Sequence, residues 1–146
     1  VKKVVEARFQ PGVDPTYHGF AIAVGEWLRD TQKIKHDLLI FVTKDQPGNV
    51  MWHGDEEQIG YFVPNHCIIF VQHFYKKFRG LTFHQRLDEF IVTIMHEFCH
   101  YEQYRDKKPF GHRNVERRAY SLAQKFRNDF HARCQIVDGR RRGNKV

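Results

Sequence analysis

The stretch from Thr82 or His84 to about Asp106 constrains this chain most. Leu87, Phe90, Ile91, Ile94, Met95 and Phe98 recur three and four residues apart, the spacing of one face of a long helix. Such a one-sided helix must be covered by other elements of the same chain. Lys107-Lys108-Pro109-Phe110-Gly111 ends it, because proline disfavours helix in the residue before it. A last helix is expected over about Asn114 to Arg133, with Val115, Ala119, Leu122, Phe126 and Phe130 as its stripe and Asn114 as its N-cap. A first helix suits Tyr17 to about Lys33 through Phe20, Ile22, Ala23, Val24, Trp27 and Leu28, although Gly25 weakens it.

Between the helices lie short β-branched and aromatic runs. Phe9 to Pro15 reads as a turn, and Leu38 to Thr43 as a buried strand followed by a turn over Asp45 to Asn49. Val50 to His53 and Ile59 to Val63 flank the acidic turn Gly54-Asp55-Glu56-Glu57 and predict a hairpin. Pro64-Asn65 breaks the second run, and Cys67 to Val71 reads as another strand. The expectation is an α+β domain with a small sheet of three or four strands.

With 146 residues, 41% of them hydrophobic and 28% charged, the chain fits one folded domain, expected over residues 1–138 with a frayed basic tail over 139–146. No stretch approaches the ~18 apolar residues that a membrane span requires. The opening Val1-Lys2-Lys3-Val4-Val5-Glu6 has no long apolar run and no small-residue cleavage site, so no secretory signal is read there. Cys67, Cys99 and Cys134 are odd in number and form no CxxC pair. A reduced, cytoplasmic protein with no membrane contact is the expectation. The net charge of +7 is uneven. Residues 1–102 hold 11 Lys+Arg and 13 Asp+Glu, whereas residues 103–146 hold 13 and 4. A basic C-terminal part can attract nucleic acid or an acidic protein, or simply keep the chain soluble.

His96-Glu97-Phe98-Cys99-His100 is an HExxH sequence inside the long helix. Residues four apart are about 40° apart round a helix, so both imidazoles can reach one ion at ~2.0–2.1 Å. Glu97, displaced by about 100°, is badly placed as a third ligand and well placed to touch a water on that ion. Three residues are candidates for the third ligand: Asp106, His112 and Glu116. Glu116 is preferred, because a second helix can present it toward the first and small Ala119 lets the helices approach; His112 comes next. Gln103 is a candidate to orient a ligand. Tyr120, His112 and Tyr104 are candidate donors to a developing oxyanion. Cys99 reads as a small buried residue rather than a nucleophile. A strand shortly before the metal helix, over Gly60 to Val63 or Ile68 to Val71, would offer an edge for an extended peptide.

A sheet, an HExxH helix and then a helix with Glu116-Arg117-Arg118-Ala119 resembles the zincin-like metallopeptidases, in particular the gluzincin branch with two His and one Glu. The compact size is similar to that of small phage and bacterial zincins of the ImmA/IrrE type. The resemblance covers about residues 38–130. It implies a minimal zincin-like fold with a small, mostly antiparallel sheet packed on the active-site helix, an N-terminal helix and a C-terminal ligand-bearing helix. It also implies one zinc ion per chain held by His96, His100 and Glu116, with Glu97 as general base and Tyr120 as a candidate catalytic donor. The substrate would be a protein or peptide. The chain departs from some gluzincins in carrying Tyr120 where they place an acidic residue four positions after the glutamate. From a different class, the alternative is a metal-containing binding module whose basic C-terminal part holds nucleic acid or a regulatory protein.

Overall fold

A computed structural model describes residues 3–44, 60–73, 79–109 and 111–143, with side chains as far as 133. Strand β1 (Val5–Phe9) leads into helix α1 (Pro15–Thr31), then strands β2 (Leu38–Thr43), β3 (Gly60–Val63) and β4 (Ile68–Gln72), and finally helices α2 (Phe83–Asp106) and α3 (His112–Gly143). A short 3₁₀ turn, Pro64–His66, separates β3 from β4.

The strands form one sheet in the order β1-β2-β4-β3. β1 runs parallel to β2, from Val5 opposite Leu38 to Phe9 opposite Val42. β2 runs parallel to β4, from Leu39 opposite Ile68 to Thr43 opposite Gln72. Only β3 is antiparallel, pairing Gly60 with Val71 and Val63 with Ile68. The α+β class stands, but the mostly antiparallel sheet is corrected to a mixed one. Parallel pairing needs long crossovers, and α1 supplies the first of them between β1 and β2.

Several boundaries move with it. β1 was not expected, and Phe9 closes a strand rather than opening a turn. The expected hairpin arm Val50 to His53 lies outside the described residues, and the hairpin found joins β3 to β4. Cys67 is a left-handed turn residue at φ 52°, so β4 begins at Ile68. Asn114 is not an N-cap: α3 starts at His112 and places it in the first turn. Helix α3 also extends to Gly143, beyond the expected end near Arg133 and into the region read as a tail.

One face of the sheet is dry. Val5, Leu38, Ile40, Val42, Phe62, Ile69 and Val71 are buried there. Helix α1 lies close on this face because Gly25 has no side chain: a Cβ there would stand 3.4 Å from Val5 Cγ1 and 3.7 Å from Ile40 Cδ1. The glycine that weakens α1 in the sequence thus lets it pack. Ile22, expected inside, is 44% exposed, and Tyr17 and Ala21 take core positions instead. Helix α2 buries all six of its predicted stripe residues, together with Tyr101. Helix α3 packs on α2 through Val115, Ala119, Leu122, Ala123 and Phe126. It is tied to α1 by a Trp27 Nε1–H donated to Asp129 Oδ2 at 2.7 Å.

Candidate metal centre

Helix α2 starts firmly. Thr82 accepts from the Gln85 backbone N–H at 3.2 Å, and the Gln85 side chain accepts from the Thr82 N–H at 2.9 Å, a reciprocal capping box. From that start the helix carries its apolar stripe under the sheet. Its opposite side turns His96 and His100 outward, both half-buried.

The two imidazoles converge. His96 Nε2 and His100 Nε2 are 3.2 Å apart. Two nitrogens bound at ~2.0–2.1 Å to one tetrahedral ion would lie roughly 3.3–3.4 Å apart, so the pair is spaced to share a cation. His100 Nδ1 lies 2.8 Å from Gln103 Oε1. That carbonyl oxygen can only accept, so Nδ1 is the donor in this contact, which leaves Nε2 as the ring atom directed at the shared point. Gln103 therefore makes the orienting contact expected of it. Ligand atoms of His96, Glu97 and His100 all lie within 4.8 Å of one another, and no other such group occurs among the described residues.

Glu97 is buried, with 7% of its surface exposed. Burial pushes its carboxyl up from 4.5 to about 8, against the opposing effect of the Phe62 backbone N–H that donates to it. Strand β3 can come this near only because residue 60 is glycine. A Cβ on Gly60 would stand 2.6 Å from Thr93 Cγ2 and 3.1 Å from Glu97 Cγ. The sequence placed Gly60 and Phe62 on a strand offered to an extended peptide, with no contact to Glu97 foreseen for either. The available signal was a glycine inside a strand run, which marks close backbone approach.

The third-ligand candidates separate clearly. Asp106 gives both carboxylate oxygens to Arg105, each at 2.8 Å, and this pairing holds its carboxyl low at about 2. Glu116 and His112 lie at the start of α3, with His112 Nε2 3.1 Å from Glu116 Oε1. Both sit near enough to His96 to act on it. Burial lowers the His96 pKa first, then the charge of His100, while Glu116 raises it and His112 lowers it. Glu116 is thus within electrostatic reach of His96 without belonging to the compact group of three. Tyr120 stands one turn after Glu116 and is 56% exposed. Tyr104 packs against His36 and Phe62 instead.

Two buried groups behind the site escaped the sequence reading. Tyr101 is fully buried, and its hydroxyl accepts from the Lys35 and His36 backbone N–H groups at 2.9 and 3.2 Å, which fixes the segment before β2. Glu102, 5% exposed, accepts from Arg118 Nε at 3.1 Å and from a second Arg118 nitrogen at 2.9 Å. Cys99 is fully buried, and burial pushes its thiol up to about 12, with Glu102 adding to the shift. It is inert at neutral pH, in keeping with a packing role.

Compared with known proteins, the chain matches no family model, no curated protein and no solved structure.

Proposed function

We propose that this protein is a zinc-dependent metallopeptidase of the zincin-like, gluzincin type. The observation that carries the reading is the pair of imidazole nitrogens 3.2 Å apart beside a buried carboxylate on the same helix. A site that only held a metal for structure would have no use for Glu97 in that place. The donor set of two imidazoles and a carboxylate suits zinc. His96 and His100 would hold the ion, and Glu116, once released from His112, would complete the set.

When bound, zinc supplies a Lewis acid that lowers the pKa of water and polarises a peptide carbonyl. Glu97 takes the proton from the attacking water and returns it to the leaving nitrogen. It must be ionised to do so, and the positive charge of a bound zinc ion would favour that form. Gln103 keeps His100 in the tautomer that presents Nε2. Tyr120 is the candidate donor to the oxyanion. Strand β3, the edge of the sheet among the described residues and beside Glu97, is the surface for an extended protein or peptide substrate.

Metal content and peptidase activity of chelator-treated, zinc-reloaded protein test the reading together. We expect about one zinc per wild-type chain, retained by Glu97→Gln and reduced in His96→Ala and Glu116→Ala. Hydrolysis of a mixed casein or peptide substrate should fall by a factor of 10²–10⁴ in Glu97→Gln. A wild type that takes up no zinc would sink the proposal.

A second reading rests on charge. Arg113, Arg117, Lys125 and Arg133 are all exposed along α3, in the part of the chain that carries the basic excess. A metal-stabilised module that binds nucleic acid through this helix would show a salt-sensitive shift of DNA or RNA that survives Glu97→Gln.

A further inference from the structure

The pair Glu102–Arg118 has no place in the chemistry above, yet among the described residues it is the most buried ionic contact between the two helices that carry the candidate ligands, with side chains 6% and 40% exposed. Glu102 follows His100 by two residues, and Arg118 follows Glu116 by two. Two residues turn a helix by about 200°, so the ion pair grips one flank of the α2–α3 contact while the histidines and Glu116 occupy the other. Between the flanks lie Ala119 and Ala123, 1% and 0% exposed. Small side chains let helices approach closely but resist rolling poorly, since they interlock little.

The ion pair supplies the missing constraint. Arg118 meets Glu102 with two nitrogens on two oxygens, at 3.1 and 2.9 Å, and such a fork fixes rotation as well as distance. A nitrogen of the same guanidinium donates to Gln32 Oε1, at the C-cap of α1, at 3.2 Å. Arg105 adds a further contact to Glu102 at 3.7 Å. Three helices are thus tied at one guanidinium. Buried ion pairs add little net stability over apolar residues of the same shape, and their best-attested use is to set register.

We propose that Glu102 and Arg118 are positioning residues for the metal site: they fix the rotation of α3 against α2 so that Glu116 faces His96 and His100. A roll of α3 by one residue would carry Glu116 about 100° away from the pair. This inference rests on the reading of Glu116 as a zinc ligand.

The test is zinc affinity, measured by competition with a chromogenic chelator, alongside thermal melting. The double variant Glu102→Leu/Arg118→Met removes the fork without leaving an unpaired charge. It should melt at or above the wild-type temperature and bind zinc at least tenfold more weakly. Arg118→Lys keeps the charge, loses the fork and should also weaken zinc binding. Asp129→Ala strips the acceptor from Trp27, at the far part of α3, and should lower the melting temperature with zinc affinity unchanged. A folded double variant that binds zinc as tightly as the wild type overturns the inference. If the double variant does not fold, unchanged affinity in Arg118→Lys overturns it. A wild type that binds no zinc, or a Glu116→Ala that binds it like the wild type, fails the functional reading itself. That pattern differs from one in which Glu116→Ala loses zinc and the Glu102 and Arg118 variants do not.

Discussion

The two halves of helix α2 are built from the same backbone on opposite principles. From Phe83 to Met95 the buried residues are all apolar: Leu87, Phe90, Ile91, Ile94 and Met95. From His96 to Asp106 the buried set includes two carboxylates, Glu97 and Glu102, each within a dense group of polar partners. The first half stabilises the fold through apolar burial, roughly 1.5–3 kcal/mol for each large side chain. The second half sets charged groups in a dry environment that disfavours them. One helix therefore anchors the domain at one end and holds the candidate metal-site groups at the other, so that a rigid element positions them.

Truncation in the first half should give the largest change. Phe90 is 2% exposed, with its ring against Tyr17 at 4.9 Å, and Phe90→Ala should lower the unfolding free energy by about 3–5 kcal/mol in urea titrations. A loss under about 1 kcal/mol would break the contrast. The second half should answer in the opposite sense. In chelator-stripped protein, Glu97 has a folded pKa of about 8 against an ordinary 4.5, so the folded state holds its proton more tightly than the unfolded state. Stability from this group is full below pH ~4.5 and falls as pH rises toward 8. Glu97→Gln does not titrate, so it should be more stable than wild type at pH 9, by on the order of 5 kcal/mol, and equal to it near pH 4. Equal stability at both pH values would show that the carboxylate bears no burial cost. The helix ends give the smallest effects. Thr82→Ala removes the capping box and should cost about 1 kcal/mol. Lys107 closes the helix at φ 53°, so Lys107→Gly should gain roughly 0.5–1 kcal/mol, read as a small rise in melting temperature.

The same contrast explains what could be read without coordinates. Apolar periodicity is a local, repeated signal, so α2 and its buried stripe were legible almost to the residue, and so were Val115, Ala119, Leu122 and Phe126 of α3, although Ala123 was missed and Phe130 is only partly buried. His96, Glu97 and His100 were legible because helix geometry alone brings them together. The direction of the strands was not legible, because it depends on where the chain crosses over rather than on any strand's own residues. Strand β1 did carry a signal: Val5, Ala7 and Phe9 alternate with Glu6 and Arg8, a period of two too short to stand out near the start of the chain. The Glu102–Arg118 pair joins two helices across 16 positions, and nothing in the local pattern marks either residue as the other's partner. Gly60 matters only because Thr93 and Glu97 lie opposite it.

The hydrogen bond from Phe62 to Glu97 also bears on how this protein behaves when crowded. Among the described residues the sheet has two open sides, and open edges can recruit strands from neighbouring molecules and so self-associate. On the β1 side, Glu6 and Arg8 lie 3.2 Å apart and stay more than half exposed, which sets charge along the border that an incoming strand would have to desolvate. The β3 side is only four residues long, and its Phe62 donor is already engaged by the buried carboxylate. The buried Glu97 carboxylate therefore also occupies an edge donor: replacing Glu97 by an apolar side chain would free that backbone donor for a stranger.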